Sequence, residues 1–377
     1  MAGIYLHIPF CKQACHYCDF HFSTQLGKKG AMVGALVREL ELRKDEVSEE
    51  IETIYFGGGT PSLLDGPEID LLISTIYKNY RVIEAPEITL EANPDDLSPA
   101  AVDQLSKGPI NRLSIGIQSF FDRDLQWMNR AHSAAEAERS LEGAKAHFDN
   151  ITIDLIYGIP GMDHNRWREN IDKALSYGLP HISSYALTVE QGTALHSFIK
   201  KGKFPDVEQG HAREQFEILM EVLEGAGYIH YEISNFGKEG YFSRNNTAYW
   251  LGKKYLGVGP SAHSFDGEHR SWNIGNNPKY IKSILEDVLP REVETLSLRD
   301  RYNEFVMTGL RTLWGISLDR VGSEFGPSYL EYIHGQSVKY LEQGLLELAD
   351  NSLRTTKKGK FLADGIASDL FFVTLEK

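Results

Sequence analysis

The chain has 377 residues, 42% of them hydrophobic and 24% charged, with a formal net charge of -14. No apolar run approaches the ~20 residues that a membrane span requires, and the acidic balance repels phosphate backbones, so neither a transmembrane segment nor a nucleic-acid partner is expected. The opening residues lack the basic-then-apolar pattern of a secretory signal, and three cysteines make an odd count for a disulfide framework, so a reducing, cytoplasmic setting is the expectation.

The first predicted strand, Ile4 to Ile8, runs straight into Cys11, Cys15 and Cys18, the only cysteines in the chain. Soft sulfur ligands favour iron-sulfur clusters, and three thiolates on one loop can hold three irons of a 4Fe-4S cluster while the fourth iron takes an outside ligand. Two plainer readings compete: buried small hydrophobes, or a structural zinc with His16 or His21 as fourth ligand. Both are weaker, because spectator cysteines scatter and zinc sites usually draw ligands from two separated segments.

Further strands are predicted at Thr53–Phe56, Glu87–Glu91, Arg112–Ile117, Ile151–Ile156 and His181–Leu187, separated by helical spacing at Ala31–Lys44, Pro67–Tyr77, Ala134–His147 and Trp167–Tyr177. Ser98-Pro99 and Ser133 carry helix-start chemistry. Six strand-helix units with one crossover hand give an α/β fold, a partial (β/α)6 barrel related to the eight-stranded TIM form, with its functional groups at the carboxyl ends of the strands. Those ends carry Gly57-Gly58-Gly59-Thr60, Glu91, Gly116 with Gln118, Asp154, and Tyr185-Ala186. A glycine triplet after a strand is by itself most often a tight turn, and Glu91 or Asp154 alone most often a helix cap. Five such ends in a chain with the cysteine trio point to one polar rim.

In the second half a helix is predicted over Glu208–Gly225, then sheet-extending runs at Tyr228–Ile233 and Tyr255–Gly259. Beyond Pro290 the pattern turns helical at Ser297–Leu313 and Val338–Leu346, and then alternates around Asp350-Asn351 and Lys358-Gly359 as in a small hairpin. The expected organisation is a core over residues 1–227, a sheet extension over 228–290, and a small α+β winged-helix-like domain over 291–377. That tail is placed to close over the barrel mouth or to receive a partner protein.

The stretch Tyr5-Leu-His-Ile-Pro-Phe-Cys11-x3-Cys15-His-Tyr17-Cys18-Asp-Phe20 resembles the radical S-adenosylmethionine superfamily, and within it the oxygen-independent coproporphyrinogen oxidase branch. The resemblance continues through Gly57-Gly-Gly-Thr60-Pro, Glu91-Ala-Asn-Pro, Gly116-Ile-Gln118-Ser-Phe, Asn129-Arg130 and Asp154-Leu-Ile-Tyr-Gly-Ile-Pro160. It implies that Cys11, Cys15 and Cys18 ligate a 4Fe-4S cluster whose open iron chelates the amino and carboxylate groups of S-adenosylmethionine. By the same resemblance Gly58, Gly59 and Thr60 receive the methionine end, and Tyr5, Tyr17, Glu91, Gln118, Arg130, Asp154 and Ala186 line the rest, with Asp154 toward the ribose and Arg130 toward the carboxylate.

Two functions compete within that branch. The oxidase, which decarboxylates coproporphyrinogen III, typically carries a further cysteine two positions after the third and a longer arm ahead of the motif; here Phe20 fills that position and four residues precede Tyr5. The resemblance is therefore closer to the haem chaperone group, which binds haem and delivers it to haem-dependent proteins. That group's His-Asn-x-x-Tyr-Trp motif corresponds to Asn245-Asn246-Thr-Ala-Tyr249-Trp250, where an amide, a poor ligand for haem iron, replaces the imidazole. His263 and His230 are the nearest imidazoles in sequence, and Tyr249 and Trp250 offer faces for porphyrin stacking.

Overall fold

A computed structural model describes residues 1–373. All six expected strands form: β1 (Ala2–Ile8), β2 (Ile51–Gly58), β3 (Val82–Ala92), β4 (Arg112–Gln118), β5 (Ile151–Tyr157) and β6 (His181–Ala186), parallel and hydrogen-bonded in chain order. Their near-continuous apolar runs are buried because helices cover one face and the barrel interior the other. The predicted helix starts are built as read. Ser98 caps Pro99–Ser106 by accepting from Ala101 N, and Ser133 with Glu136 forms a capping box at Ala134–Lys145.

The extension grows from both edges of this sheet. β7 (Ile229–Glu232) and β8 (Asn235–Gly237) add beyond β6, while β9 (Tyr255–Val258) lies parallel to β1 and is followed by β10 (His263–Phe265), β11 (His269–Asn273) and β12 (Arg291–Thr295). Twelve strands result. The last three escaped the sequence reading because they are short and polar, with residues such as His269, Arg270 and Glu292 in place of apolar alternation.

A buried ion pair fastens the second edge. Arg43, on helix Lys29–Leu42's C-cap, donates to Glu39 Oε1 at 2.9 Å, to the Gly257 carbonyl at 2.8 Å and to Ser264 Oγ at 3.1 Å. Glu39 also accepts from Gly259 N at 2.8 Å, Asn273 Nδ2 at 2.7 Å and the Tyr280 hydroxyl. The Glu39–Arg43 pair thereby joins a barrel helix, strands β9 to β11 and helix Asn277–Leu285.

The tail has its own apolar core around Tyr302, Val306, Phe325, Ile333 and Leu353. Helices Leu298–Leu310 and Pro327–Glu342 pack with a three-stranded antiparallel sheet of β13 (Ile316–Ser317), β14 (Leu346–Ala349) and β15 (Ser352–Thr355), the expected winged-helix-like arrangement. The β14–β15 turn falls at Asp350 and Asn351, both left-handed at φ 50° and 53°. Two local expectations fail. The helix expected over Val338–Leu346 begins at Pro327, after Gly326 at φ 98°, and Leu346 already belongs to β14. Lys358-Gly359 makes no hairpin turn, because the Thr356 hydroxyl caps a short helix, Lys357–Lys360, by accepting from Gly359 N at 3.2 Å.

Candidate functional site

The cysteine loop leaves the carboxyl end of β1 and is closed at its base. Phe10 and Ser23 bridge, Cys11 N donates to the Ser23 carbonyl at 3.1 Å, and Ser23 N returns a bond to the Pro9 carbonyl at 2.9 Å. Its far side is pinned to the turn that ends the short helix Asp122–Trp127 beyond β4: Gln13 Nε2 donates to the Asn129 carbonyl at 2.9 Å, Asn129 Nδ2 to the Ala14 carbonyl at 2.7 Å, and His16 N to the Met128 carbonyl at 3.0 Å. Neither histidine of the zinc reading turns to the sulfurs. His16 Nδ1 bonds the Trp127 carbonyl at 2.9 Å, and His21 Nε2 bonds Asn277 Oδ1 at 2.7 Å.

A single tetrahedral zinc holds its sulfur ligands about 3.8 Å apart. The cysteines form no such compact trio: among the described residues only His164, His211 and Glu214 bring three ligand atoms within 4.8 Å of one another. A cluster that gives each thiolate its own iron suits this wider set of donors. Burial pushes the Cys11 thiol up and the Cys18 thiol to about 12, so metal must displace their protons.

All three cysteines face one cavity of about 610 Å³. Nine of the ten other residues singled out from the sequence line it too: Tyr17, Gly58, Gly59, Thr60, Glu91, Gln118, Arg130, Asp154 and Ala186. Tyr5 stands behind the wall. Its hydroxyl donates to His7 Nδ1 at 3.1 Å, and His7 Nε2 donates to the His21 carbonyl at 2.8 Å, tying the end of the cysteine loop back to β1. Burial lowers the His7 imidazole to about 4, which keeps it in the neutral form this relay needs.

The glycines serve close packing. A Cβ on Gly59 would meet the Phe10 carbonyl oxygen at 2.6 Å and that of Ile8 at 2.8 Å, and one on Gly116 would meet Gln118 Nε2 at 2.9 Å and Arg130 Nη2 at 3.2 Å. Gln118 itself is left-handed at φ 65°, an uncommon state for a residue with a side chain. The Arg130 guanidinium is anchored by Nη2 to Asn93 Oδ1 at 2.7 Å and the Gly116 carbonyl at 2.9 Å, which aims Nη1 at Cys15 Sγ, 3.4 Å away, and leaves the buried Nε without a partner.

Two carboxyls in this cavity resist ionisation. Burial pushes Glu91 to about 7, against the pull of the Tyr55 hydroxyl at 2.7 Å and Gly58 N at 3.2 Å. Burial likewise raises Asp154 to about 6, with Ser183 and Arg112 opposing. Such a pair gains from a cationic guest, whose charge restores what burial removed.

The residues weighed for haem lie elsewhere. Asn245 is buried near the amino-terminal ends of β1 and β2, where its Oδ1 accepts from Thr53 Oγ1 at 3.1 Å, whereas the cysteines sit past the opposite end of β1. Tyr249 packs edge-on to Tyr255 at 4.5 Å, and Trp250 lies beneath Arg311 at 5.2 Å. His263 is exposed beside Trp272, and His230 stacks on Phe236 at 4.0 Å with its Nδ1 buried and unpartnered. None of these five lines the cavity.

A model of the radical SAM superfamily matches residues 5–174, and one of the HemN C-terminal domain matches residues 296–362. The heme chaperone HemW of Bacillus subtilis (strain 168) is 34% identical over 372 residues, spanning 97% of this chain and 98% of that protein. The chain belongs to the HemW family of the radical SAM superfamily. Mouse radical S-adenosyl methionine domain-containing protein 1, mitochondrial, is 31% identical over 97% of this chain and 86% of its own length. The solved structure of Escherichia coli coproporphyrinogen III oxidase (HemN) shares the fold, with a TM-score of 0.84 at 21% identity, over 98% of this chain and 90% of that one.

Membership in this HemW branch implies a 4Fe-4S cluster and S-adenosylmethionine, and the thiol set with its cavity suits both. The sequence reading missed the groups that shape the site from afar. Gln13 pins the cysteine loop, Phe216 comes from helix Gln209–Gly225, and Arg311, Lys360 and Phe361 reach the cavity from the C-terminal domain. Local periodicity marks none of them.

Proposed function

We propose that this chain binds haem and delivers it to haem-dependent proteins, as a cytoplasmic chaperone built on a radical SAM core. The observation that carries the reading is similarity to heme chaperone HemW along 97% of this chain and 98% of the relative. Among the described residues no helix is long and apolar enough to cross a membrane.

In this reading Cys11, Cys15 and Cys18 hold the 4Fe-4S cluster, and Tyr17, Gly58, Gly59, Thr60, Glu91, Gln118, Arg130, Asp154 and Ala186 surround S-adenosylmethionine. The reduced cluster supplies one electron for cleaving a sulfonium bond, chemistry no side chain provides. The chain's own residues set the stage. Arg130 Nη1 reaches Cys15 Sγ at 3.4 Å and fixes that side of the loop, and Glu91 and Asp154 ionise as a cationic guest arrives. Tyr5, through His7, holds the loop rather than the guest.

Anaerobic titration of the reconstituted protein with haem tests the proposal. Saturable binding in the Soret band, followed by transfer to the apo form of a haem protein, is the expected result. Conversion of coproporphyrinogen III to protoporphyrinogen in the presence of S-adenosylmethionine and an electron donor would overturn it in favour of the oxidase.

A further inference from the structure

The cavity that holds the cysteines has a second wall of different character. It is built where the C-terminal domain meets the barrel, and it presents Arg311 and Lys360 together with the aromatic rings of Tyr157, Tyr185, Phe216 and Phe361. We propose that Arg311 and Lys360 hold the propionate carboxylates of the haem while these rings take the macrocycle. This rests on the haem reading above and adds to it the groups that recognise the ligand.

Lys360 is a cation without a counter-ion in contact. Its ammonium has one protein acceptor, the His230 carbonyl at 3.3 Å, and forms no ion pair among the described residues. Burial pushes it down to about 8, with Lys357 adding to the effect and Glu224 and Glu232 opposing. A carboxylate arriving beside it would restore the charged form. Glu232 does not fill that place: no ion pair joins it to Lys360 among the described residues, and its Oε1 accepts from Ser234 N and Asn235 Nδ2 instead.

Arg311 is held in place but not spent. Its guanidinium lies over the Trp250 ring at 5.2 Å, Nη1 meets the exposed Asp364 carboxylate, and Nε is buried without a partner. Thr312 beside it bridges to Glu232, and Leu313 N donates to the Tyr231 carbonyl at 2.9 Å, so the domain junction fixes where Arg311 points. Arg130 offers a third cation to the same cavity, yet its two terminal nitrogens are engaged by Asn93, Gly116, Tyr17 and Cys15. Lys360, with no ion pair among the described residues, and Arg311, whose Nη1 pairs with Asp364 on the same cavity but whose Nε has no partner, stand beside aromatic walls and suit a flat, apolar molecule with two carboxylates, which is the chemistry of haem.

The test compares haem with haem dimethyl ester, which keeps the ring and iron but lacks the anionic carboxylates, on anaerobically reconstituted full-length protein. Wild type should bind haem at least about tenfold more tightly than the ester, and Lys360→Gln and Arg311→Gln should each weaken haem by about tenfold while leaving the ester unchanged. Arg311→Lys should retain much of the preference. Visible cluster absorbance should persist in every variant. Equal affinity of wild type for haem and ester, or equal losses for both ligands in the variants, would overturn the carboxylate contact while leaving haem binding intact. Failure of wild type to bind either ligand would instead remove the haem reading, and this inference with it.

Discussion

Glu91 shows what a single buried acid costs and what it is kept for. A free glutamate ionises near pH of about 4.3, but burial moves this one to about 7. Between those values the unfolded chain gives up a proton that the folded chain keeps, so this group subtracts stability as pH rises through the window. Glu91→Gln has no such proton to lose. The cofactor-free variant should therefore gain on wild type between pH of about 4.3 and about 7, by up to about 4 kcal/mol. Denaturant midpoints of both proteins across that range check this; a difference that stays flat with pH would show that the carboxyl is not perturbed. The same substitution should weaken S-adenosylmethionine, because a neutral amide cannot answer a cationic guest.

At the scale of elements, the contact between the end of β2 and the chain leaving β1 decides where the cysteines go. Gly59 N donates to the Ile8 carbonyl at 2.9 Å, and the space a side chain would need is already filled by the backbone of Ile8 and Phe10. Backbone cannot rotate aside as a flexible side chain can. Gly59→Ala should therefore cost about 1–3 kcal/mol and displace the start of the cysteine loop. Iron and sulfide content after anaerobic reconstitution should fall below that of wild type. A full cluster complement with an unchanged unfolding midpoint would show that the loop tolerates the shift.

Across the whole molecule, the Glu39–Arg43 network holds the second-half strands against the first-half barrel. Both side chains are buried, at 0% and 1% exposure, so removing one leaves the other charge stranded. Glu39→Ala should cost about 3–5 kcal/mol, with amide exchange accelerating first in β9 to β11 and helix Asn277–Leu285. Uniform exchange with no loss of stability would deny the network this role. The exposed pair between Arg38 and Asp287 also links helix Lys29–Leu42 to the region after helix Asn277–Leu285, but water screens it, and its loss should leave the unfolding midpoint nearly unchanged.

The parallel strands, the cysteine trio and the strand-end residues were legible in the chain because each depends on neighbours close in sequence. An apolar run buries itself wherever it lands, and Cys11, Cys15 and Cys18 share a loop in any fold. Even Ser133 carries its own cap partner, Glu136, three residues away. What only the tertiary structure decided depends on partners far apart in the chain. Tyr5 reads as a cofactor contact by its place in the motif, but the fold spends its hydroxyl on His7. Asn245 reads as a missing haem ligand, but the fold puts it beside Thr53, away from the cavity. Arg311 and Lys360 carry no mark in the sequence, and it is the C-terminal domain, packed on β7, that brings them to the cavity wall. Short-range chemistry writes the elements, whereas the company each side chain keeps is set by contacts that sequence spacing does not encode.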